Sequence, residues 1–489
     1  MQPKKVIVIG AGFAGMAAAT KLAAEGYDVT VFEKNTMAGG RAQYFKAEGF
    51  TFDMGPSWYW MPDVFEDYFK RYGKTVADYY DLVRLDPSYQ VVFGPNEAMD
   101  VPAQMKDFEA FIEKLEPGST PKLRQFLAQA KYKYEVGVGE FVWKPSLSIT
   151  EFFDIRLLTK ALQLDLFQSL GKHIRKYFKH PRILQLMEFP ILFLGATPKN
   201  TPALYSLMNY ADIALGTWYP MGGMHKIAAG MAAVAEDRGV KFRFKEAVQQ
   251  IKIVDGIAAG VETENGFYTA DVVISGADYH HTDSVLLTDE HKNYDQKYWM
   301  SRKMAPSSLL FYLGVNRRVD KLLHHNLFFD EDFDQHAHEI YTEPKWPSKP
   351  LFYASAPSKT DSSVAPEGSE NVFLLVPIAP DLPDDEATRE HYYNIIMERL
   401  ESFCGHDIRS NVVFKRSFAV SDFKSEYNSF RGNAYGLANT LLQTAFLKPK
   451  LKNKKAKNVF YCGQLTTPGP GVPPSIISGI VVAEEVMKS

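Results

Sequence analysis

Lys5 opens an apolar run, Val6-Ile7-Val8-Ile9, that ends in Gly10-Ala11-Gly12-Phe13-Ala14-Gly15 and passes straight into an alanine-rich stretch reaching about Gly26. This order predicts a buried parallel strand, a tight turn and a helix, the opening of a doubly wound α/β sheet. Gly10 permits the turn, Gly12 lets a pyrophosphate approach the backbone at the positive helix terminus, and Gly15 lets helix and strand pack closely. Asp28 to Lys34 reads as a second strand. Glu33, near its end and 18 residues beyond Gly15, is placed to accept hydrogen bonds from a ribose diol. Phe13, Ala14 and Lys34 belong to the same expected nucleotide site.

The chain has 489 residues, about three domains' worth at roughly 150 residues each. With 46% hydrophobic and 23% charged residues and a net charge of -3, disorder is excluded and nucleic acid is not an expected partner. Cys404 and Cys462 stand far apart without nearby histidine spacing, so neither a disulfide framework nor a metal site is expected. Met1 to Lys5 leads directly into the first strand, so a cleavable leader is not expected. The longest uncharged run, Asn458 to Ala483, carries Pro468, Pro470, Pro473 and Pro474 and is not expected to span a bilayer.

Farther along come Gly39-Gly40-Arg41 and the extended Phe50-Thr-Phe-Asp53-Met-Gly55-Pro56-Ser57. Val459 to Gly463 reads as another apolar strand ending in glycine, followed by a Pro/Gly loop and a helix from Ser475 to Met487. Between them, Gly239 to Phe244, Val248 to Val254, Ile257 to Glu262 and Phe267 to Ile274 alternate like strands. Asp255-Gly256 and Asn265-Gly266 mark hairpins between the last three. Ala270 to Asp278 is expected to return the chain to the parallel sheet.

The Gly39 to Ser57 continuation resembles the flavin-binding superfamily of amine oxidases and carotenoid desaturases. Phe52 to Pro62, Trp218 to Gly223, Ala270 to Asp278, Arg431 to Leu437 and Gly463 to Gly479 are similar, in order, to segments of bacterial-type phytoene desaturases. The Trp-Tyr-Trp-Met-Pro stretch resembles the lycopene-forming members of gliding-bacterial type. The resemblance covers nearly the whole chain and implies FAD in a two-dinucleotide-binding, glutathione reductase-like α/β fold with an interleaved substrate domain and a helical membrane-facing region. The implied FAD-binding domain is discontinuous, residues 1-90, 220-289 and 450-489, with 91-219 and 290-449 forming the substrate domain. It adds Gly40, Arg41, Gly55, Pro56, Ser57, Val248, Gly463, Pro473, Pro474, Ser475 and Ile476 to the cofactor site, with Arg41 neutralising phosphate and helix-start amides facing the flavin. Pro474 stands where the family often has glycine.

The implied reaction is desaturation of a phytoene-type polyene by hydride transfer to flavin. The alternatives are a hydroxycarotenoid 3,4-desaturase, which needs a polar group near one end of the tunnel, and a non-catalytic binder of prenylated lipid or protein. Trp58, Tyr59 and Trp60 follow the flavin-contacting segment and are expected to line the substrate. Glu151 and Asp154 lie where the family carries a proposed acid/base pair, although Ser148 to Glu151 also forms a helix capping box. His281 is a further polar candidate. A flavin-driven mechanism with little side-chain catalysis is the preferred expectation.

A polyene is drawn from the bilayer, so peripheral attachment at the cytoplasmic face of the cell membrane is expected. Thr150 to Lys179 reads as a helix with Leu158, Leu162, Leu166, Leu170, Ile174 and Phe178 on one face and Lys172, Arg175, Lys176 and Lys179 near its end. Such a helix suits an anionic lipid interface or, equally, a core with cations at its C-terminus. Six lysines between Lys448 and Lys457 are expected to add electrostatic attraction or to form a solvated loop.

Overall fold

The computed structural model describes residues 3–146, 168–194, 197–440 and 443–489. The β-branched run forms β1 (Lys5–Ile9), which passes through the glycine turn into helix α1 (Phe13–Ala24) and then into β2 (Asp28–Glu33). These belong to a five-stranded parallel sheet, in the order Val459–Tyr461, Val272–Ser275, β1, β2, Lys241–Phe244. Buried on both faces, β1 from Val6 to Ile9 and the neighbouring Val272 to Ile274 are continuously apolar, as central parallel strands are.

Val248–Val254, Ile257–Thr263 and Gly266–Thr269 form the antiparallel meander, turned by Asp255-Gly256 and Asn265 beside Gly266. The expected strand from Phe267 to Ile274 is divided at Ala270-Asp271. Its first half pairs within the meander, and its second half, Val272–Ser275, joins the parallel sheet.

A seven-stranded sheet has the order Val412–Phe418, Ser307–Val315, Glu370–Ile378, Phe352–Ser355, His325–Phe328, Tyr89–Gly94, Glu97–Val101. Helix Glu386–Cys404 covers one of its faces through Tyr392, Ile396, Leu400 and Phe403. The opposite face presents Tyr89, Leu327, Tyr353, Leu375, Leu310 and Tyr312 to another core, shared with Trp58, Trp60 and Phe189. A domain boundary at residue 90 would cut strand Tyr89–Gly94, so Tyr89 and Gln90 belong with the second sheet.

Helix α1 is clamped between the parallel sheet and the C-terminal helix Val472–Met487 by contacts that only glycine permits. A Cβ at Gly15 would lie 2.1 Å from the Gly10 carbonyl oxygen, and one at Gly479 would lie 2.1 Å from that of Ala14. Gly479→Ala is therefore expected to separate the helices and cost about 1–3 kcal/mol, as overpacking a rigid core does. Thermal unfolding checks this, and an unchanged midpoint would contradict it.

Candidate functional site

The first α-helix, the ends of β1 and β2, the start of the meander and the turn after Val459–Tyr461 converge on a cavity of about 620 Å3. Of the sequence-predicted cofactor residues, Gly10, Gly12, Phe13, Ala14, Glu33, Lys34, Gly40, Arg41, Val248, Gly463 and Ser475 line it. Gly10 adopts φ +93° and Gly463 φ +107°, conformations in which glycine is unstrained. Gly12 differs: its backbone is extended, and a Cβ there would meet nothing within 4 Å. The space beside Gly12 leaves room for a bound group to approach its backbone.

Glu33 Oε2 accepts from the Ala11 amide at 2.8 Å and Oε1 from the Asn35 amide at 2.9 Å. The carboxylate is thus fixed at the strand end, beside the glycine turn, with lone pairs to spare for a diol. Arg41 is buried. Its guanidinium donates to the Ala434 and Asn433 carbonyls and to Ser429 Oγ, and lies over the Tyr427 ring. Burial lowers its pKa, which the nearby Asp278 carboxylate opposes, while burial raises that of Asp278. The cavity therefore holds a cation with part of its donor set already engaged and part available to a diphosphate. These features fit FAD, whose flavin when bound supplies a hydride acceptor.

Other expected contacts are structural. Gly15 packs α1 onto the Gly10 turn, and a Cβ at Gly55 would lie 2.3 Å from the Arg41 carbonyl oxygen. Pro56 and Ser57 line a separate pocket of about 20 Å3 with Asp53, Tyr219 and His324. Pro473 and Pro474 stand in the first turn of the C-terminal helix and carry no N–H, so the expected helix-start amides lose two donors there. Ile476 is buried in the core. Glu151 and Asp154 lie outside the described residues.

Cavity residues without an assigned role in the sequence reading include Asp278, Glu426, Tyr427, Asn428 and Gln464. Their neighbourhoods carried motif resemblance, but the long-range approach of residues 426–434 to Arg41 has no local signal. His281 also lines this cavity, its Nε2 3.3 Å from Asn428 Nδ2. Burial, chiefly, pushes its pKa down to about 4, so it is neutral and belongs to the nucleotide end. Cys462, pushed up to about 12 by burial, is an inert thiol.

Trp58 and Trp60 point to the apolar face of the seven-stranded sheet, and Tyr59, between them on extended backbone, points the other way. Tyr59 is fully buried against Phe65, its hydroxyl 3.0 Å from that of Tyr80, and so lies away from the face that Trp58 and Trp60 share, contrary to the expectation that all three line one surface. Trp58 stacks on His325, with centroids 4.1 Å apart and planes 13° from parallel, and meets Tyr89, Phe189 and Tyr353. His325 Nδ1 lies 2.6 Å from the Tyr353 hydroxyl, and burial holds the imidazole neutral.

Asp212, unflagged in the sequence, is the buried acid of this region. Its Oδ2 accepts from the Tyr89 hydroxyl at 2.8 Å and its Oδ1 from Thr217 Oγ1 at 3.2 Å, while Trp60 Nε1 donates to Thr217 at 2.8 Å. Burial raises its pKa to about 7.

Leu170, Ile174 and Phe178 are fully buried in the core; Leu170 and Ile174 belong to the short helix Leu170–Ile174, capped by Ser169, and Phe178 lies beyond its end. Their apolar face is occupied by protein, so the membrane-facing reading fails for them. Arg175 pairs with Glu188. Lys448, one of the six clustered lysines, is buried and not a surface charge.

The model of the family described as flavin containing amine oxidoreductase matches residues 13–487. The chain belongs to that family. It is an FAD-dependent oxidoreductase. Among its relatives, a carotenoid 3,4-desaturase of Haloarcula japonica is 40% identical over 99% of this chain and 98% of its own. A zeta-carotene-forming phytoene desaturase of Myxococcus xanthus is 31% identical over 99% and 94%. These relatives place the chain in the carotenoid desaturase branch. A crystal structure of an oxidoreductase from Methanosarcina mazei shares the fold, with TM-score 0.65 at 16% identity over 99% of this chain and all of that one. The oxidoreductase family membership sets aside the non-catalytic binder.

Gly12→Val is expected to fold with a near-normal melting temperature, because its side chain enters open space, and to purify without flavin. A folded variant with full flavin absorbance would contradict the cavity's assignment. For Asp212 the folded state keeps a proton that the unfolded chain releases above its ordinary value of 3.8, so stability is lost as pH rises from about 4 to about 7. Asp212→Asn should shrink the stability difference between pH 5 and pH 8 by roughly 2–4 kcal/mol. Chemical denaturation at the two pH values checks this, and an unchanged difference would refute it.

Proposed function

We propose that this enzyme desaturates acyclic carotenoids, removing a hydride to FAD and a proton from adjacent carbons so that a conjugated double bond is added. The observation that carries the reading is the 40% identity to a carotenoid 3,4-desaturase across nearly the full length of both chains. The structure supports it with an apolar, aromatic sheet face roofed by Trp58, Trp60 and Phe189, a surface suited to a rigid polyene.

Two members of this class remain distinct in chemistry. Phytoene desaturation toward lycopene is supported by the ordered motifs and the Myxococcus xanthus relative. Desaturation at the 3,4 position of a hydroxylated carotenoid is favoured by the higher identity of the Haloarcula japonica relative.

In this reading the protein holds FAD with Gly10, Gly12, Phe13, Ala14, Glu33, Lys34, Gly40, Arg41, Val248, Gly463 and Ser475. The sheet face excludes water and aligns the polyene, and Trp58 and Trp60 bear on it directly. Alignment in a dry site supplies several kcal/mol of the barrier. Glu151 and Asp154 remain the proposed proton acceptors to compare against.

The substrate's insolubility in water supports peripheral attachment at the cytoplasmic face of the membrane. No helix among the described residues is long and apolar enough to cross a bilayer. Flotation with anionic liposomes tests the attachment, which protein remaining at the bottom of the gradient would contradict.

Anaerobic single-turnover flavin reduction by a bound carotenoid tests the activity itself. Trp58→Ala should slow it at least tenfold while flavin stays bound, and should slow it more than Glu151→Gln. A collapse of roughly two to four orders of magnitude in Glu151→Gln, with a near-normal Trp58→Ala, would identify an essential base instead.

A further inference from the structure

Lys448 and Asn439 are each 3% exposed, and among the described residues neither Lys448 Nζ nor Asn439 Oδ1 has a hydrogen-bond partner. Burying such atoms unpaired is costly, and more so for a charge. Both converge on Gly469. A Cβ at that glycine would lie 3.0 Å from Lys448 Nζ and 3.5 Å from Asn439 Oδ1, and Gly469 has φ +139°, which disfavours any side chain there. The two groups thus flank a point kept clear by glycine, one offering a donor and the other an acceptor.

Their place in the fold links them to both parts of the site. The segment bearing Asn439 first gives its Asn433 and Ala434 carbonyls to Arg41, then passes Tyr435, whose hydroxyl interacts with Ser308, and packs Gly436 against Gln464 of the cavity wall. Gly469 lies in the loop between Gly463 and Ser475, both of which line the FAD cavity. Neither Lys448 nor Asn439 lines that cavity. The pair sits where the segment that holds Arg41 meets the loop before the C-terminal helix.

Resting on the carotenoid reading above, we propose that Lys448 and Asn439 form a polar subsite for a hydroxyl group on the end of a carotenoid substrate. An alcohol is the matching chemistry: its O–H donates to Asn439 Oδ1, and its oxygen accepts from Lys448 Nζ. A hydrocarbon end would leave both atoms unpaired. Burial pushes the Lys448 pKa down to about 7, so the amine donates without fixing a full charge in the apolar interior. The subsite selects the hydroxylated carotenoid over its hydrocarbon counterpart, because a site built to bond a hydroxyl discriminates against an analogue that lacks it.

The test uses FAD-loaded enzyme and two acyclic carotenoids of equal chromophore, one ending in hydrocarbon and one carrying a terminal-carbon hydroxyl. The readout is the ratio of kcat/KM for the two within one preparation, which does not depend on how much of that preparation is folded. Wild type should favour the hydroxylated substrate at least tenfold, and Lys448→Met and Asn439→Leu should each bring the ratio close to one. A wild-type ratio of one, or a ratio unchanged in both variants, overturns the subsite and leaves desaturation standing. If neither carotenoid reduces the flavin, the parent reading fails. Equilibrium binding of the two carotenoids, followed by the shift of the polyene absorbance, then decides the subsite alone, and equal affinities overturn it. A changed flavin affinity or reduction potential in Lys448→Met, with the substrate ratio intact, assigns the amine to the flavin and also overturns it.

Discussion

The near-contact of helix α1 with its two neighbours is the constraint on which the site depends. Gly15 lets the helix settle on the carbonyl of Gly10, and Gly479 lets the C-terminal helix settle on that of Ala14. These contacts bring residues from the two ends of the chain to one cavity. Gly12 then presents its backbone to open space at the helix start, and Gly463 and Ser475 line the same cavity. A larger residue at Gly15 or Gly479 would widen the clamp, and the cavity would lose its shape before it lost any donor.

The two halves of the site divide polar from apolar work. Ionisable groups cluster around the cavity, where Glu33, Lys34, Arg41, Asp278 and Glu426 all line the wall. The sheet face beyond is roofed by aromatic rings, and its few polar groups are neutral or held by neighbours. His325 pairs with Tyr353, and Asp212 is held by Tyr89 and Thr217. Through Thr217 the Asp212 carboxyl also fixes the indole of Trp60. A buried acid thereby orients a ring of the apolar surface. Among the described residues, Lys448 Nζ and Asn439 Oδ1 have no hydrogen-bond partner, as is also true of His325 Nε2.

Local patterns in the sequence were legible wherever one element carried its own signal. The β1 turn, α1 and β2 follow from an apolar run, three glycines and an acid, and the meander follows from its Asp-Gly and Asn-Gly turns. What failed was the assignment of side chains whose partners are distant in sequence. Gly55 reads as a cofactor contact but packs on Arg41, and Tyr59 reads with the tryptophans but alternates to the other side of its extended segment. Lys448 sits in a run of lysines that looks solvated, yet burial sets it apart from the rest. Leu170, Ile174 and Phe178 show the helical spacing expected of a lipid-facing stripe, and the same spacing serves equally for a core. Asp212 had no motif around it, because what makes it distinctive is the loss of water, which only the fold reveals.

The central claim is that a flavin in the glycine-lined cavity and a polyene on the aromatic sheet face belong to one reaction centre. A crystal structure of the holoenzyme with an acyclic carotenoid bound tests it most directly. The account predicts the diphosphate against Gly12 and the polyene running across the sheet between Trp58, Phe189 and Tyr353. A polyene bound elsewhere, with that aromatic face still closed on itself, would contradict it.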